Sequence, residues 1–263
     1  PLVLDQNLAE AELDWNKKVN ELLDNFKEKN LIDFLSWNVI RKTMFLEYDP
    51  YIKHEFNYLK KNKIKLLKES SFGAPTRLYF YPFSSANLIH HQYHLARLLE
   101  NFRIQINQID YVLEFGGGYG SMARVFYKMG FNGKYTIYDF AAFNSIQKYY
   151  LRNVIFGNNT ALEKCLTFYN EYDHLNDIDP KLCNKLFLAT WSISETSLEF
   201  RNDFFNQLPH FQYYLIAFQH NFHDINNLDF FHKWSNESKS DIDWKFVDIE
   251  HIGQHSYLFG KRI

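Results

Sequence analysis

The sequence has few cysteines, no long apolar run and almost no excess of charge. Cys165 and Cys183 are the only cysteines among 263 residues, so we expect no disulfide framework and a reducing, cytoplasmic compartment. No apolar run approaches the length of about 20 residues that a membrane-spanning helix needs. The N-terminus is acidic and soon becomes helical, which predicts that there is no signal peptide.

The formal net charge is −2 and the sequence pI is about 6.7. Nucleic-acid binders usually carry a basic patch, so this balance argues against a nucleic-acid partner. Aromatic residues are abundant, with 26 Phe, 18 Tyr and 5 Trp. Aromatic side chains fill cores and also line pockets for sugars and adenine, so composition alone does not separate these two uses.

Glycine is also scarce, with 10 residues, yet four of them fall within residues 116–120. They follow the apolar run 111–115, which predicts a central parallel strand. Residues 121–129 then have helical periodicity. A glycine turn that leads into a helix presents free N–H groups and the positive end of the helix dipole to a ligand.

The spacing of the glycines narrows the range of ligands that this turn could bind. A dinucleotide site of the Rossmann type requires Gly-x-Gly-x-x-Gly, but the sixth position counted from Gly116 is Ser121. The pattern that is present is Glu-x-Gly-x-Gly-x-Gly, with Glu114 at the end of the strand. A second, alternating strand over 134–139 ends in Asp139, about where a ribose-binding carboxylate belongs.

The glycine motif resembles the first motif of the class I S-adenosylmethionine-dependent methyltransferases. Together with the Tyr-Thr-Ile-Tyr-Asp strand end and the segment 185–197, it resembles more narrowly the sugar O-methyltransferases of bacterial surface-polysaccharide gene clusters. The resemblance covers residues 75–260 and is most specific over 111–153 and 185–197. It implies that S-adenosylmethionine is the cofactor, that Glu114 helps to position its methionine end, and that the glycine turn packs beneath it.

From residue 109 onward, strands and helices alternate, which predicts a parallel sheet covered on both faces. We predict an α/β, Rossmann-like class I methyltransferase sheet, mostly parallel with the last strand antiparallel, and an N-terminal helical cap. The expected domains are the cap with its cleft-wall helix, 1–105, and the S-adenosylmethionine-binding methyltransferase domain, 106–263. Helical patterns in the cap run over 8–26, 31–46 and 51–67, and the expected strands are 111–115, 134–139, 166–169, 185–191, 212–218, 244–250 and 255–262.

The expected cofactor contacts follow from the resemblance and from the strand ends. Asp173 comes after the third strand, where a polar residue of the resembling family often contacts the adenine. A solvated loop acid is the alternative interpretation of Asp173. The full expected set is Glu114, Gly116, Gly117, Gly118, Gly120, Asp139, Phe140, Asp173 and Thr190.

A helix that begins near residue 85 carries Asn87, His90 and His94 on one polar face. We interpret it as one wall of the cleft, with Asn87, His90, Trp191 and His223 as substrate contacts. His90 and His94 have the i, i+4 spacing of a metal pair, but no nearby acid in the sequence completes the set. We therefore expect no metal, while metal-assisted transfer through the histidines and an acid stays open.

Methyl transfer to a sugar hydroxyl needs a base that removes the proton, and histidine is suited because its ordinary pKa is about 6.5. The fifth strand ends in the polar run 219–224, at the end of a sheet where ligands bind. Our hypothesis is that His220 or a histidine of the 90–94 helix, such as His94, is the base. An acid such as Asp224 or Glu195 would orient it.

The resemblance therefore implies an O-methyltransferase that methylates a hydroxyl of a sugar, nucleotide sugar or glycan by in-line transfer. The alternatives are a phenolic or other small hydroxyl acceptor, a nicotinamide-dependent oxidoreductase, and a non-catalytic cofactor-binding module. The missing sixth-position glycine argues against the oxidoreductase, and the retained Glu114 and Asp139 argue against a degenerate module. The oligomeric state, including a homo-oligomer, is left open.

Overall fold

The computed structural model of the protein describes residues 10–46, 50–157, 163–179, 181–238 and 241–263. The strands are β1 (Tyr111–Phe115), β2 (Lys134–Tyr138), β3 (Leu166–Tyr169), β4 (Lys185–Thr190), β5 (Tyr213–Gln219), β6 (Asn221–Phe222), β7 (Ile225–Asn226), β8 (Ile242–Asp248) and β9 (His255–Arg262). The α-helices are α1 (Glu10–Glu28), α2 (Asn38–Thr43), α3 (Pro50–Lys61), α4 (Ala86–Phe102), α5 (Ser121–Lys128), α6 (Ala141–Leu151), α7 (Leu198–Gln207) and α8 (Asn227–Glu237).

The main sheet has the strand order β3-β2-β1-β4-β5-β9-β8, and β1 to β5 run parallel to one another. Strand β9 runs antiparallel to both of its neighbours, β5 and β8. The predicted mostly parallel sheet with an antiparallel final strand is therefore confirmed. The strand order reverses between β1 and β4, so their carboxyl ends flank the crevice at which open α/β sheets bind ligands.

Strand β1 is buried along its whole length, as its apolar run predicts. Its one acid, Glu114, lies in register with Ile137 of β2 and Leu188 of β4. Because the strand has neighbours on both sides, Glu114 is carried into the interior of the protein one residue before the carboxyl end of the strand.

Apolar side chains pack on both faces of the sheet. On one face, Val112 of β1 and Leu188 of β4 belong to the same hydrophobic cluster as Leu22 of α1. On the other face, Phe187 of β4 packs in a cluster with Phe204 of α7. Helix α1 thus shares a core with the sheet, and the domain boundary proposed after residue 105 stays a prediction.

Two predicted helices of the N-terminal region are shorter than expected. The backbone of Trp37 is extended (φ −65°, ψ 140°), and it separates a 3₁₀ turn from α2 within the range 31–46. Helix α3 ends at Lys61, although the apolar pattern continues to residue 67. Among the helices that the structure describes, none is both long enough and apolar enough to cross a membrane.

Candidate active site

A cavity of about 1250 Å³ opens at the carboxyl edge of β1, β2 and β4. Since small-molecule pockets usually measure about 300–1000 Å³, this one has room for two ligands side by side. The walls come from the glycine turn, from α1 and α4, and from the loop between β8 and β9. Its aromatic lining residues are Trp15, Phe45, Tyr51, Phe115, Tyr119, Tyr138, Phe140, Phe143, Trp191 and Phe200.

The glycine turn packs closely against the neighbouring strand ends. Gly116 has a φ of +71°, and a Cβ atom there would lie 2.2 Å from the Cβ of Ser192. At Gly117, a Cβ atom would lie 2.6 Å from Cγ2 of Ile137. Both positions therefore exclude a side chain, which lets the backbone of the turn form the cavity wall directly.

Two acids line this wall of the cavity: Glu114 near the end of β1 and Asp139 directly after β2. The side chain of Glu114 is almost fully buried and accepts a hydrogen bond from Tyr135 Oη at 2.9 Å. Burial raises the pKa of Glu114 to about 8. Asp139 accepts hydrogen bonds from the N–H of Phe140 at 2.8 Å and from Gln147 Nε2 at 2.7 Å, and burial raises its pKa to about 7. A cationic ligand beside either carboxyl group would favour its ionised form.

Most of the expected cofactor contacts line the cavity. Phe140 is 45% exposed and stacks on Trp15 of α1, with ring centroids 6.5 Å apart and an interplanar angle of 28°. Gly120 is not part of the lining; it precedes α5 with a φ of +96°. The side chain of Asp173 lies outside the described part of the chain. The expected cofactor residues in the lining are Glu114, Gly116, Gly117, Gly118, Asp139, Phe140 and Thr190.

Three of the four expected substrate contacts also line the cavity. The ring of His90 stacks on Trp191, with centroids 5.2 Å apart. The amide of Asn87 bonds to the Leu46 N–H and the Met44 carbonyl, so it holds the segment before residue 47. The fourth, His223, lies against Glu10 and Asp14 of α1 instead, at 3.6 and 3.4 Å. The first three thus stay substrate-side predictions, and His223 belongs to the contact between α1 and the β6–β7 hairpin.

The structure separates the four expected catalytic residues. Glu195 lines the cavity, and burial raises its pKa to about 6. His220 bonds through Nε2 to Ser256 at 2.9 Å, and Asp224 is exposed in the turn between β6 and β7. His94 is buried in a hydrogen-bonded cluster. None of these last three is among the described residues that line the cavity.

The path of the backbone after β5 keeps His220 out of the cavity lining. The N–H of His220 donates to the carbonyl of Gln254 at 2.8 Å, and its own carbonyl accepts from the N–H of Asn227 at 2.8 Å. These bonds tie the strand end to the β8–β9 loop and to α8. The hypothesis that the polar run 219–224 reaches into the cleft therefore gains no support from the geometry.

Two functional candidates were missed by the sequence analysis. Glu55 is fully buried on α3 and accepts hydrogen bonds from His90 and from His251, a cavity-lining residue of the β8–β9 loop. The signal for Glu55 was available, because an acid between Ile52 and Leu59 lies on the buried face of an amphipathic helix. The position of His251 in a loop gave no comparable signal.

Glu55 also corrects the statement that no acid completes a metal set with the helix histidines. Glu55, His90 and His94 offer ligand atoms that all lie within 4.8 Å of one another. However, both ring nitrogens of each histidine are engaged in hydrogen bonds within the protein. A metal ion would have to displace these bonds in order to be ligated.

Comparison with solved structures identifies the fold. The magnesium protoporphyrin IX methyltransferase ChlM from Synechocystis PCC 6803, solved with bound SAM, aligns over 98% of this chain and 100% of its own, with a TM-score of 0.52 and 10% identity. The O-methyltransferase TomG from Streptomyces achromogenes, involved in tomaymycin synthesis and solved in complex with SAM, aligns over 84% of this chain and 93% of its own, with a TM-score of 0.44 and 10% identity. No protein-family model matches the chain, and no curated protein matches its sequence. The alignment with ChlM confirms the Rossmann-like class I methyltransferase fold.

Proposed function

We propose that the protein is an S-adenosylmethionine-dependent O-methyltransferase. The observation that carries this proposal is the placement of Glu114, the glycine turn and Asp139 together at the reversal point of a class I methyltransferase sheet, on the wall of a large cavity. The same edge of the sheet is where the fold places ligands.

The residues present fit the cofactor. S-adenosylmethionine has an amino-acid end with an ammonium and a carboxylate group, a positively charged sulfonium, a ribose with two hydroxyl groups and a flat adenine. Glu114 supplies a buried carboxyl group for the ammonium group, and Asp139 supplies acceptor oxygens for the ribose hydroxyls. Phe140 and Trp15 offer aromatic faces for the adenine. When bound, the cofactor would supply an electrophilic methyl group.

The acceptor in this proposal is a hydroxyl group of a sugar, a nucleotide sugar or a glycan. Its support is the remainder of the cavity lining, in which Trp191 and Tyr51 offer aromatic faces and Asn16, Glu195 and His251 offer hydrogen-bonding groups. Aromatic faces beside hydrogen-bonding groups are suited to a sugar ring, which has both C–H faces and hydroxyl edges. The aromatic lining suits a phenol as well, so the test must distinguish a phenolic acceptor from a sugar acceptor.

The first test measures cofactor affinity by calorimetric titration with S-adenosylhomocysteine and, in a separate titration, with NADH. We expect binding of S-adenosylhomocysteine alone. Asp139→Asn should weaken that binding at least tenfold, because the amide carries no charge and exchanges one acceptor oxygen for a donor. Asp110→Asn is the matched control, since Asp110 lies at the opposite end of β1 and bonds to the Asn184 N–H. Binding of NADH, or equal affinity in both variants, would overturn the proposed site.

The second test measures the acceptor. The protein is incubated with methyl-labelled S-adenosylmethionine and with separate pools of glycosides, nucleotide sugars and phenols. Label transferred to a glycosyl pool supports the sugar acceptor, whereas label found only in phenols supports the alternative.

A further inference from the structure

A hydrogen-bonded cluster lies behind one wall of the cavity and joins α3, α4, β9 and the β8–β9 loop. Glu55 Oε1 lies 2.8 Å from His90 Nδ1 and 3.0 Å from His251 Nε2. His90 Nε2 lies 2.8 Å from His94 Nε2, and His94 Nδ1 lies 2.5 Å from Tyr257 Oη. His90 and His251 line the cavity, whereas Glu55 has no accessible surface.

The proton on each nitrogen of this cluster follows from the charge of Glu55. Burial alone would raise the pKa of Glu55, but the facing rings of His90 and His251 bring it below the ordinary value of a glutamate. An ionised carboxylate only accepts hydrogen bonds, so His90 Nδ1 and His251 Nε2 both carry protons that they donate to it. His90 Nε2 then accepts from His94 Nε2–H, and His94 Nδ1 accepts from the Tyr257 hydroxyl. In the form of the cluster with one proton on each histidine ring, every donor therefore meets an acceptor.

This pattern leaves one basic nitrogen on a residue that lines the cavity. Neutral His251 carries its proton on Nε2, so its Nδ1 has a free lone pair. Among the described residues, none hydrogen-bonds to that nitrogen. We infer that His251 is the general base that takes the acceptor proton in the proposed methyl transfer, and that Glu55 is the positioning residue that fixes its tautomer and orientation. This inference rests on the proposed function.

The other cavity-lining histidines do not offer such a nitrogen. Both ring nitrogens of His90 are used within the cluster. His255 accepts a hydrogen bond from Trp191 Nε1 at Nδ1, at 3.3 Å, so in the neutral ring its other nitrogen carries the proton. Burial lowers the pKa of His91 to about 3, which makes it a poor proton acceptor.

The proposed methyl transfer needs no reactant besides the cofactor, the acceptor and His251. A bond forms between the acceptor oxygen and the methyl carbon, while the electron pair of the carbon–sulfur bond remains on sulfur. The hydroxyl proton moves to His251 Nδ1, and the resulting imidazolium lies beside the Glu55 carboxylate. The other groups that face the His251 ring are His54, stacked at 4.4 Å between centroids, Tyr93 at 5.1 Å and Tyr51 at 6.3 Å.

The test combines a readout of the free protein with a readout of turnover. Imidazole nitrogen resonances of ¹⁵N-histidine-labelled protein, assigned with His251→Gln, should show His251 protonated at Nε2 and bare at Nδ1. In Glu55→Gln, which preserves the shape of the buried side chain, we expect the His251 proton to be shared between Nδ1 and Nε2, because an amide group can donate as well as accept and no longer fixes the tautomer. A His251 ring that carries its proton on Nδ1 would overturn the inference.

For turnover, His251→Gln should lower methyl transfer to the mixed acceptor pools by about 100-fold or more. Its affinity for S-adenosylhomocysteine should stay within twofold of the wild type. The control is His174→Gln, which replaces an exposed histidine that lies near Asp177 of its own turn and stacks on the ring of Tyr169. Equal turnover in the two variants would overturn the role of His251 while the cofactor titration left the proposed function standing. Failure of the wild type to bind S-adenosylhomocysteine would overturn both.

Discussion

Replacement of Glu114 by Gln should change the number of protons released when the cofactor binds. The pKa of Glu114 is raised to about 8 in the free protein. At pH 7 about nine-tenths of the molecules then carry a proton on this carboxyl group. An ammonium group of the bound ligand beside Glu114 lowers the pKa of this carboxyl group, so binding must expel that proton. Wild-type protein should therefore release about 0.9 more proton per cofactor at pH 7 than Glu114→Gln, whose side chain does not titrate.

The assay is calorimetric titration with S-adenosylhomocysteine in two buffers of different ionisation enthalpy, since the difference in heat counts the protons. Between pH 6 and 8, the affinity of the wild type should rise by up to about tenfold per pH unit relative to Glu114→Gln. Gln still accepts the hydrogen bond from Tyr135, so the variant tests charge while it retains the packing. Equal proton release by the two proteins would refute the assignment of Glu114 to the ammonium group of the cofactor.

The raised pKa of Glu114 also predicts how the stability of the free protein depends on pH. Since the pKa of Glu114 is raised from 4.5 to about 8, the folded state binds more protons than the unfolded state between these values. The free energy of unfolding should thus fall as pH rises through this window, by up to about 1.4 kcal/mol per pH unit and about 5 kcal/mol in total. Glu114→Gln should remove this contribution. Urea denaturation of both proteins at pH 5 and pH 8.5 measures it, and parallel curves would contradict the raised pKa.

Two further substitutions test the packing around the site. Gly116→Ala should destabilise the protein by about 2–4 kcal/mol, because φ is positive and the new Cβ would overlap Ser192. Urea denaturation measures this loss, and the titration with S-adenosylhomocysteine measures its effect on affinity. An unchanged stability and affinity would show that the turn can relax. Glu69→Gln should cost about 3 kcal/mol or more, since it leaves the guanidinium of Arg124 buried without its carboxylate. The exposed Glu100→Gln should cost less than about 1 kcal/mol, and equal losses in these last two variants would refute the argument from burial.

The sequence by itself determined the sheet and the placement of Glu114 and Asp139 at one edge of it. Short apolar runs bounded by glycine and polar residues predicted β1 and β3 to the residue, and β2, β4 and β5 within one residue at each end. Glu114 and Asp139 could be placed at one edge because parallel strands align their carboxyl ends. These features depend on a few consecutive residues, and their physical causes, side-chain alternation and glycine geometry, act locally.

The tertiary structure decided which side chains from distant parts of the sequence meet at the cavity. Nothing near His220 in the sequence shows that hydrogen bonds to Gln254 and Asn227 hold it beside the β8–β9 loop. Glu55 and His251 are 196 residues apart, and they meet only because α3 packs on α4 and that loop closes over both helices. An ionised carboxylate without accessible surface needs donors from other elements, because burial removes the water that would solvate it. The identity of those donors is fixed by how distant segments pack, and for that reason the local sequence pattern does not contain it.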